Sequence, residues 1–286
     1  MCLALPGTPR ENRYSLSDER AFGITNLDEV VDTIRGALKA RSRLIRISIT
    51  LQGEYMDDID PLIGELMDLA YRPTGEPDEG DYLRYQTGGY SYSYGHTPSG
   101  SGFLYTIEIV PEYFTTPSEE AAVDAAVEEI IASLQLPEDA SEYERVRSVY
   151  DYLAQNVSYD AVHRDNQYYK LKNTAYGALV RHSAVCQGYA VAMYRLLMEL
   201  GVENRVIIGQ GISGQTSEIH AWNAVRIGDE WYYADPTWNY TVSEEDYFLK
   251  GAEDFPNHVP DEEYAGLYDI AERGYDISGA GEEAPR

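Results

Sequence analysis

Residues 219–236 read Ile219-His220-Ala221-Trp222-Asn223-Ala224-Val225-Arg226-Ile227-Gly228-Asp229-Glu230-Trp231-Tyr232-Tyr233-Ala234-Asp235-Pro236. Two runs rich in β-formers flank Gly228-Asp229, a pair suited to a two-residue hairpin turn because glycine accepts the positive φ such turns demand. With residues 227 and 230 beside the turn, antiparallel pairing sets His220 opposite position 237 and leaves Asp235 within two residues of direct opposition. A diagonal neighbour at that offset is within reach of an imidazole and a carboxylate on one face. Which face they share depends on register, which a bulge or Pro236 shifts. Each residue also has an ordinary reading: a strand His is commonly a satisfied polar side chain, and an Asp before Pro is commonly a turn former.

Upstream, residues 204–211 read as another strand, and before them Val185-Cys186-Gln187-Gly188-Tyr189-Ala190 leads into Val191, Tyr194, Leu196, Leu197 and Leu200. That spacing predicts an amphipathic helix closed by Gly201 as its C′ residue. Cys186 then sits within one turn of a helix N-terminus, where unpaired N–H groups favour a thiolate and can hold an oxyanion on an attacked carbonyl. Taken alone, Cys186 reads as a small buried hydrophobe opening a core helix. Followed by His220 and Asp235, it completes the order thiol, imidazole, carboxylate that nucleophilic acyl transfer requires. Trp222 and Trp238 flank the His and the Asp, and either wall a cleft against water or fill the core.

Toward the N-terminus, helical spacing predicts helices over 26–40 and 57–71, with an alternating strand over 44–51 between them. Gly88–Tyr94 and Phe103–Val110 alternate as well and predict a hairpin with a loose loop between. Pro117 with Glu119 and Glu120 opens a helix to 135, and Ser141 with Glu144 has the spacing of a capping box for a helix ending near Asn156. The expected organisation is a flexible segment over 1–22, a small α+β domain over 23–116, a catalytic domain over 117–277 and a flexible acidic tail over 278–286.

The 286 residues carry 49 acidic and 22 basic side chains, a formal charge of −27. An acidic chain without a Lys/Arg-rich run repels phosphates, which argues against a nucleic-acid partner. Hydrophobic residues make up 43% and aromatics 12%, with 26 Tyr, too many for a disordered acidic chain. Cys2 and Cys186 supply no disulfide framework, and Cys186 is expected to be a free thiol. No apolar stretch reaches the length of a transmembrane span. No secretion signal is readable, so the expectation is either a cytoplasmic chain or an extracellular or cell-surface one whose leader has been removed, with Cys2 then open to lipid attachment. His96, His163, His182 and His258 are expected on loops without metal-ligand spacing, and the acidic runs at 57–60 and 260–263 lack a calcium-loop pattern. No metal and no cofactor is expected. No glycine-rich phosphate loop follows a strand.

Four short motifs in order carry a family resemblance: Thr174-Ala175-Tyr176-Gly177-Ala178-Leu179-Val180, Ala184-Val185-Cys186-Gln187-Gly188-Tyr189-Ala190, His220-Ala221-Trp222-Asn223, and Trp231-Tyr232-Tyr233-Ala234-Asp235-Pro236-Thr237-Trp238. Over roughly residues 140–240 the chain resembles the transglutaminase-like superfamily of papain-type cysteine enzymes, particularly bacterial members. Many members carry Glu after the Cys where this chain has Gln187. The resemblance implies an α+β fold in which the nucleophile's helix packs on an antiparallel sheet, preceded here by a small α+β domain. It implies Cys186 as nucleophile, His220 as general base and acid, and Asp235 as the residue orienting the imidazole. The implied activity is thiol-dependent acyl transfer on peptide or glutaminyl amides: a peptidase or hydrolase when water accepts the acyl group, a transglutaminase when an amine does. The expected partner is a peptide or protein substrate, with basic ones favoured by the chain's charge. A third reading is a non-catalytic cell-surface binding module retaining the fold, with Tyr90-Ser91-Tyr92-Ser93-Tyr94 as an adhesive patch.

Overall fold

The computed structural model of the protein describes residues 24, 26–241 and 247–277, with backbone alone at 239–241. The expected segments 1–22, with Cys2, and 278–286 lie outside the described residues. Two compact units separate between Glu120 and Ala121.

In the first unit, α1 (Leu27–Lys39) buries one stripe, Val30, Val31, Ile34 and Leu38, as its spacing requires. Strand β1 (Ile45–Gln52) buries Ile45, Ile47, Ile49 and Leu51 and exposes the residues between. Helix α2 (Asp60–Ala70) starts later than its periodicity suggests, because Pro61 sits in its first turn and fixes the entry. A five-residue helix, α3 (Asp81–Tyr85), escapes periodicity by its shortness. Strands β2 (Thr87–Ser99) and β3 (Gly102–Tyr113) complete an antiparallel sheet of order β1-β3-β2. The expected loose loop near 95–102 is instead strand up to a two-residue turn: Ser99 pairs with Gly102, and Gly100 takes φ +61°. Pro98 is tolerated because β2 is an edge strand. His96 therefore lies on a strand, not a loop.

Helix α4 (Pro117–Leu134) leads into the second unit. Helix α5 (Glu142–Asn156) carries the expected capping box, with the Ser141 side chain on the Glu144 N–H and the Glu144 carboxylate on the Ser141 N–H. Two-residue strands β4 (Ser158–Tyr159) and β5 (Ser183–Ala184) pair in parallel, and between them run a 3₁₀ turn (Lys170–Asn173) and α6 (Ala175–Leu179). Helix α7 (Cys186–Glu199) packs on β6 (Asn204–Ser213) and β7 (Thr216–Ile227), with α5 and α6 also against it. It was expected to be amphipathic; instead every residue from Cys186 to Leu197 is buried, since sheet and helices enclose it together. Its lone basic residue, Arg195, is matched by Asp124 at 3.0 Å and by Glu199. The Gly201 N–H bonds the Met198 carbonyl and the Val202 N–H the Leu197 carbonyl, which ends the helix with Gly201 at φ +74°.

With β8 (Glu230–Ala234) and β9 (His258–Pro260) the sheet has order β8-β7-β6-β9, antiparallel throughout. Helix on antiparallel sheet is the α+β arrangement the sequence implies. No described helix is long and apolar enough to cross a membrane.

Candidate active site

Cys186 is the first residue of α7. Val185 before it is extended (φ −94°, ψ 177°) and offers no side-chain cap, while its N–H is held by the Lys172 carbonyl at 2.9 Å. The helix start is pressed onto the 3₁₀ turn closely enough that only glycine fits at 188. A Cβ there would lie 2.7 Å from both the Lys172 carbonyl oxygen and the Ala184 Cβ. Cys186 is a free thiol, 8% exposed, on the wall of a cavity of about 610 Å³ that His220, Thr237 and Trp238 also line.

His220 comes from β7, opposite Gly209 of β6. The turn at Gly228-Asp229 holds the expected register, with Ile227 on Glu230 and Asn223 on Ala234. The ladder stops at Ala234, and Asp235 leaves it to open α8 (Pro236–Thr241). Asp235 is wholly buried, and its Oδ1 accepts the N–H groups of Thr237 at 2.8 Å and Trp238 at 3.3 Å, capping that helix behind Pro236. Its Oδ2 accepts a hydrogen bond from His220 Nε2 at 2.7 Å. The two readings of an Asp before Pro are thus one: the residue that makes the turn also meets the imidazole.

Burial works against charge on the His220 ring, but the Asp235 carboxylate and a hydrogen bond with Cys186 outweigh it and push the ring's pKa up to about 10. Nδ1 is the ring nitrogen left for the sulfur. Burial likewise opposes a charge on Asp235, yet His220 and His258 hold its carboxyl well below the usual carboxylate range. A thiol, an imidazole and a carboxylate therefore stand in series at the edge of one cavity, an order of groups that general chemistry allows to pass a proton from sulfur to ring.

The two tryptophans separate. Trp238 lines the cavity and packs on the His220 ring at 5.3 Å. Trp222 is fully buried and stacks near the ring at 5.9 Å without reaching the cavity wall.

His258, expected on a loop apart from the site, is instead the first residue of β9, paired with Gly211 of β6. Its Nε2 lies 3.1 Å from Asp235 Oδ2 and its Nδ1 2.9 Å from the Pro256 carbonyl oxygen. Its β6 partner Gly211 leaves room for the His220 and Trp238 side chains, since a Cβ there would lie 3.0 Å from the His220 Cβ and from the Trp238 ring. Three residues of strand are too few for alternation to register, so no sequence pattern points to His258. Among the described residues, His220, Asp235 and His258 gather donor atoms within 4.8 Å of one another, the spacing a metal needs. Their contacts at 2.7 and 3.1 Å are direct hydrogen bonds that already occupy those atoms, so the cluster is a hydrogen-bonded network.

Comparison with known proteins gives one family match, over residues 131–236, to the transglutaminase-like superfamily. No curated protein matches the chain. Among solved structures, the chain is similar to a TGase at 16% identity and a TM-score of 0.41, covering 66% of this chain and 61% of that one. It is also similar to a candidate cysteine protease from Cytophaga hutchinsonii at 14% identity and a TM-score of 0.35, covering 60% of this chain and 68% of that one. The chain thus spans less than two thirds of the TGase's length. The matched segment, 131–236, holds the helix opening at Cys186 and the hairpin leading from His220 to Asp235, so the likeness to the transglutaminase-like superfamily falls on the part of the chain that carries the candidate site.

Proposed function

We propose that this protein is a thiol-dependent acyl-transfer enzyme acting on peptide or glutaminyl amides, with Cys186 as nucleophile, His220 as general base and acid, Asp235 as the orienting carboxylate, and water as the usual acceptor. The observation that carries this reading is the buried His220–Asp235 pair, 2.7 Å apart, whose imidazole is hydrogen-bonded with the Cys186 thiol and lines the same cavity as it.

His220 takes the Cys186 proton at Nδ1. The thiolate attacks the amide carbonyl carbon, a C–S bond forms, and the charge developing on oxygen falls before the N–H groups at the start of α7. The imidazolium returns its proton to the departing nitrogen as the C–N bond breaks, leaving a thioester. Water, deprotonated by His220, then attacks the thioester; the C–S bond breaks and the sulfur recovers a proton. A primary amine in place of water gives a new amide. The net charge of −27 favours cationic substrates, although on the cavity wall itself Asp165 and Glu218 are paired with Arg164.

The test is to incubate the protein with a basic Gln-containing protein and a labelled primary amine. Fragments or released ammonia without incorporated label support the hydrolase. Label in the protein substrate moves the reading to an amine transferase. No product of either kind, with wild type and Cys186→Ala alike, overturns the enzymatic reading in favour of a binding module.

A further inference from the structure

His258 lies beyond the segment that matches the superfamily, yet both of its ring nitrogens face oxygen acceptors. The Pro256 carbonyl can only accept, and so can an ionised Asp235; a neutral ring has one N–H and would set a lone pair against one of these oxygens. Only a doubly protonated ring makes both bonds.

We propose that His258 is a second, cationic imidazole of this site, a positioning residue that shares the Asp235 carboxylate with His220 and makes the reactive thiolate–imidazolium state electrically neutral. The proposal rests on the acyl-transfer reading above. Three observations carry it. First, Asp235 is saturated: Oδ1 takes two backbone N–H groups and Oδ2 two ring N–H groups, so His258 supplies one of four donors that fix the carboxylate where His220 needs it. Second, a thiolate, a His220 cation and an Asp235 carboxylate together leave one net negative charge in a buried site, and the His258 cation cancels it. Third, the ring sits in an aromatic box, with Phe255 stacked on it at 4.0 Å, Trp238 and Tyr247 tilted against it at 4.5 and 5.4 Å, and Trp222 T-shaped to it at 5.0 Å, and a stacked aromatic face suits a cation. Among the described residues, the titratable groups facing it are Asp235 at the end of β8, His220 of β7, with rings 5.3 Å apart, and Tyr247 after α8; β6 opposite presents only Gly211.

Losing the His258 cation weakens the thiolate and lets Asp235 hold the His220 proton more tightly, so both limbs of a pH profile move upward. The test pairs ¹⁵N spectra of the histidine rings with iodoacetamide alkylation of Cys186 across pH in wild type and His258→Gln, which keeps a donor toward Asp235 but no charge. Two protonated nitrogens on the wild-type His258 ring at neutral pH, and an alkylation profile displaced upward by about one pH unit in the variant, are the expected results. A singly protonated His258 ring overturns the proposal, and so does an unmoved profile in a folded variant. If H258Q does not fold, the wild-type spectrum decides alone. Failure of the acyl-transfer reading is told apart because it shows in wild type, as sluggish alkylation with an ordinary thiol profile, whatever the His258 ring displays.

Discussion

The Asp235 carboxylate serves two structures at once: Oδ1 closes the first turn of α8, and Oδ2 receives the His220 N–H at 2.7 Å. The cap orients the carboxylate before any proton moves, so the imidazole meets a fixed partner. Because that partner binds Nε2, the ring presents Nδ1 to the thiol.

Asp235→Asn keeps the helix cap, since Asn caps as well as Asp, but its amide can donate toward Nε2 and favour the wrong tautomer. The expected loss in kcat/KM is roughly 10³-fold to 10⁴-fold with fold retained, measured on whichever substrate the amine-label assay yields. A loss under tenfold speaks against an orienting carboxylate.

The same variant reads the pair's contribution to stability. Removing one partner of a buried ion pair costs about 3–5 kcal/mol. His220 has its folded pKa raised to about 10, so its share is whole below the unfolded pKa of roughly 6.5 and is lost as pH rises through 10. Asp235 has its folded pKa lowered, so its share is whole above the unfolded value of roughly 3.9 and is lost as pH falls below it. Urea titrations of wild type and Asp235→Asn should therefore differ most between about pH 4 and pH 6.5, and converge on both sides. A difference that grows above pH 8 contradicts the assignment.

Gly188→Ala forces a methyl to within 2.7 Å of the Lys172 carbonyl and the Ala184 side chain. Overpacking of this kind costs about 1–3 kcal/mol, and relief comes by moving the first turn of α7 with Cys186 on it. Thermal melts should show the loss, and alkylation of Cys186 should slow in the fraction still folded.

Ser141→Ala removes the capping box of α5 at a cost of about 1 kcal/mol without touching the cavity. Its Tm should fall while kcat and KM stay at wild-type values; a change in KM contradicts the separation of cap from site.

Much of the site is legible by counting. The Gly228-Asp229 turn and the alternation on either side set the His220 strand against the Asp235 strand, and Gly201 marks the end of the helix that Cys186 opens. His258 is illegible because its strand is three residues long and its partner, β6, lies far back in the chain. Gly209, which admits the β9 backbone and the Trp222 ring, and Gly211, which admits His220 and Trp238, declare their purpose only once those neighbours are in place. The all-round burial of α7 escapes the sequence for a similar reason: its periodicity marks one apolar face, while the cover on the other comes from α5 and α6. In the first unit, Pro98 with Gly95, Gly100 and Gly102 reads as a loop, and the edge position of β2 is what lets Pro98 remain strand up to the turn at Gly100.

Iodoacetamide labelling of wild type at pH 6, read by mass at Cys186 and set beside Cys186→Ala and Asp235→Asn, tests the central claim most directly. Rapid modification at pH 6 that disappears in the alanine variant and slows in the asparagine variant is the expected result. Modification that is slow at pH 6, rises only as an ordinary thiol ionises and is indifferent to Asp235 contradicts it.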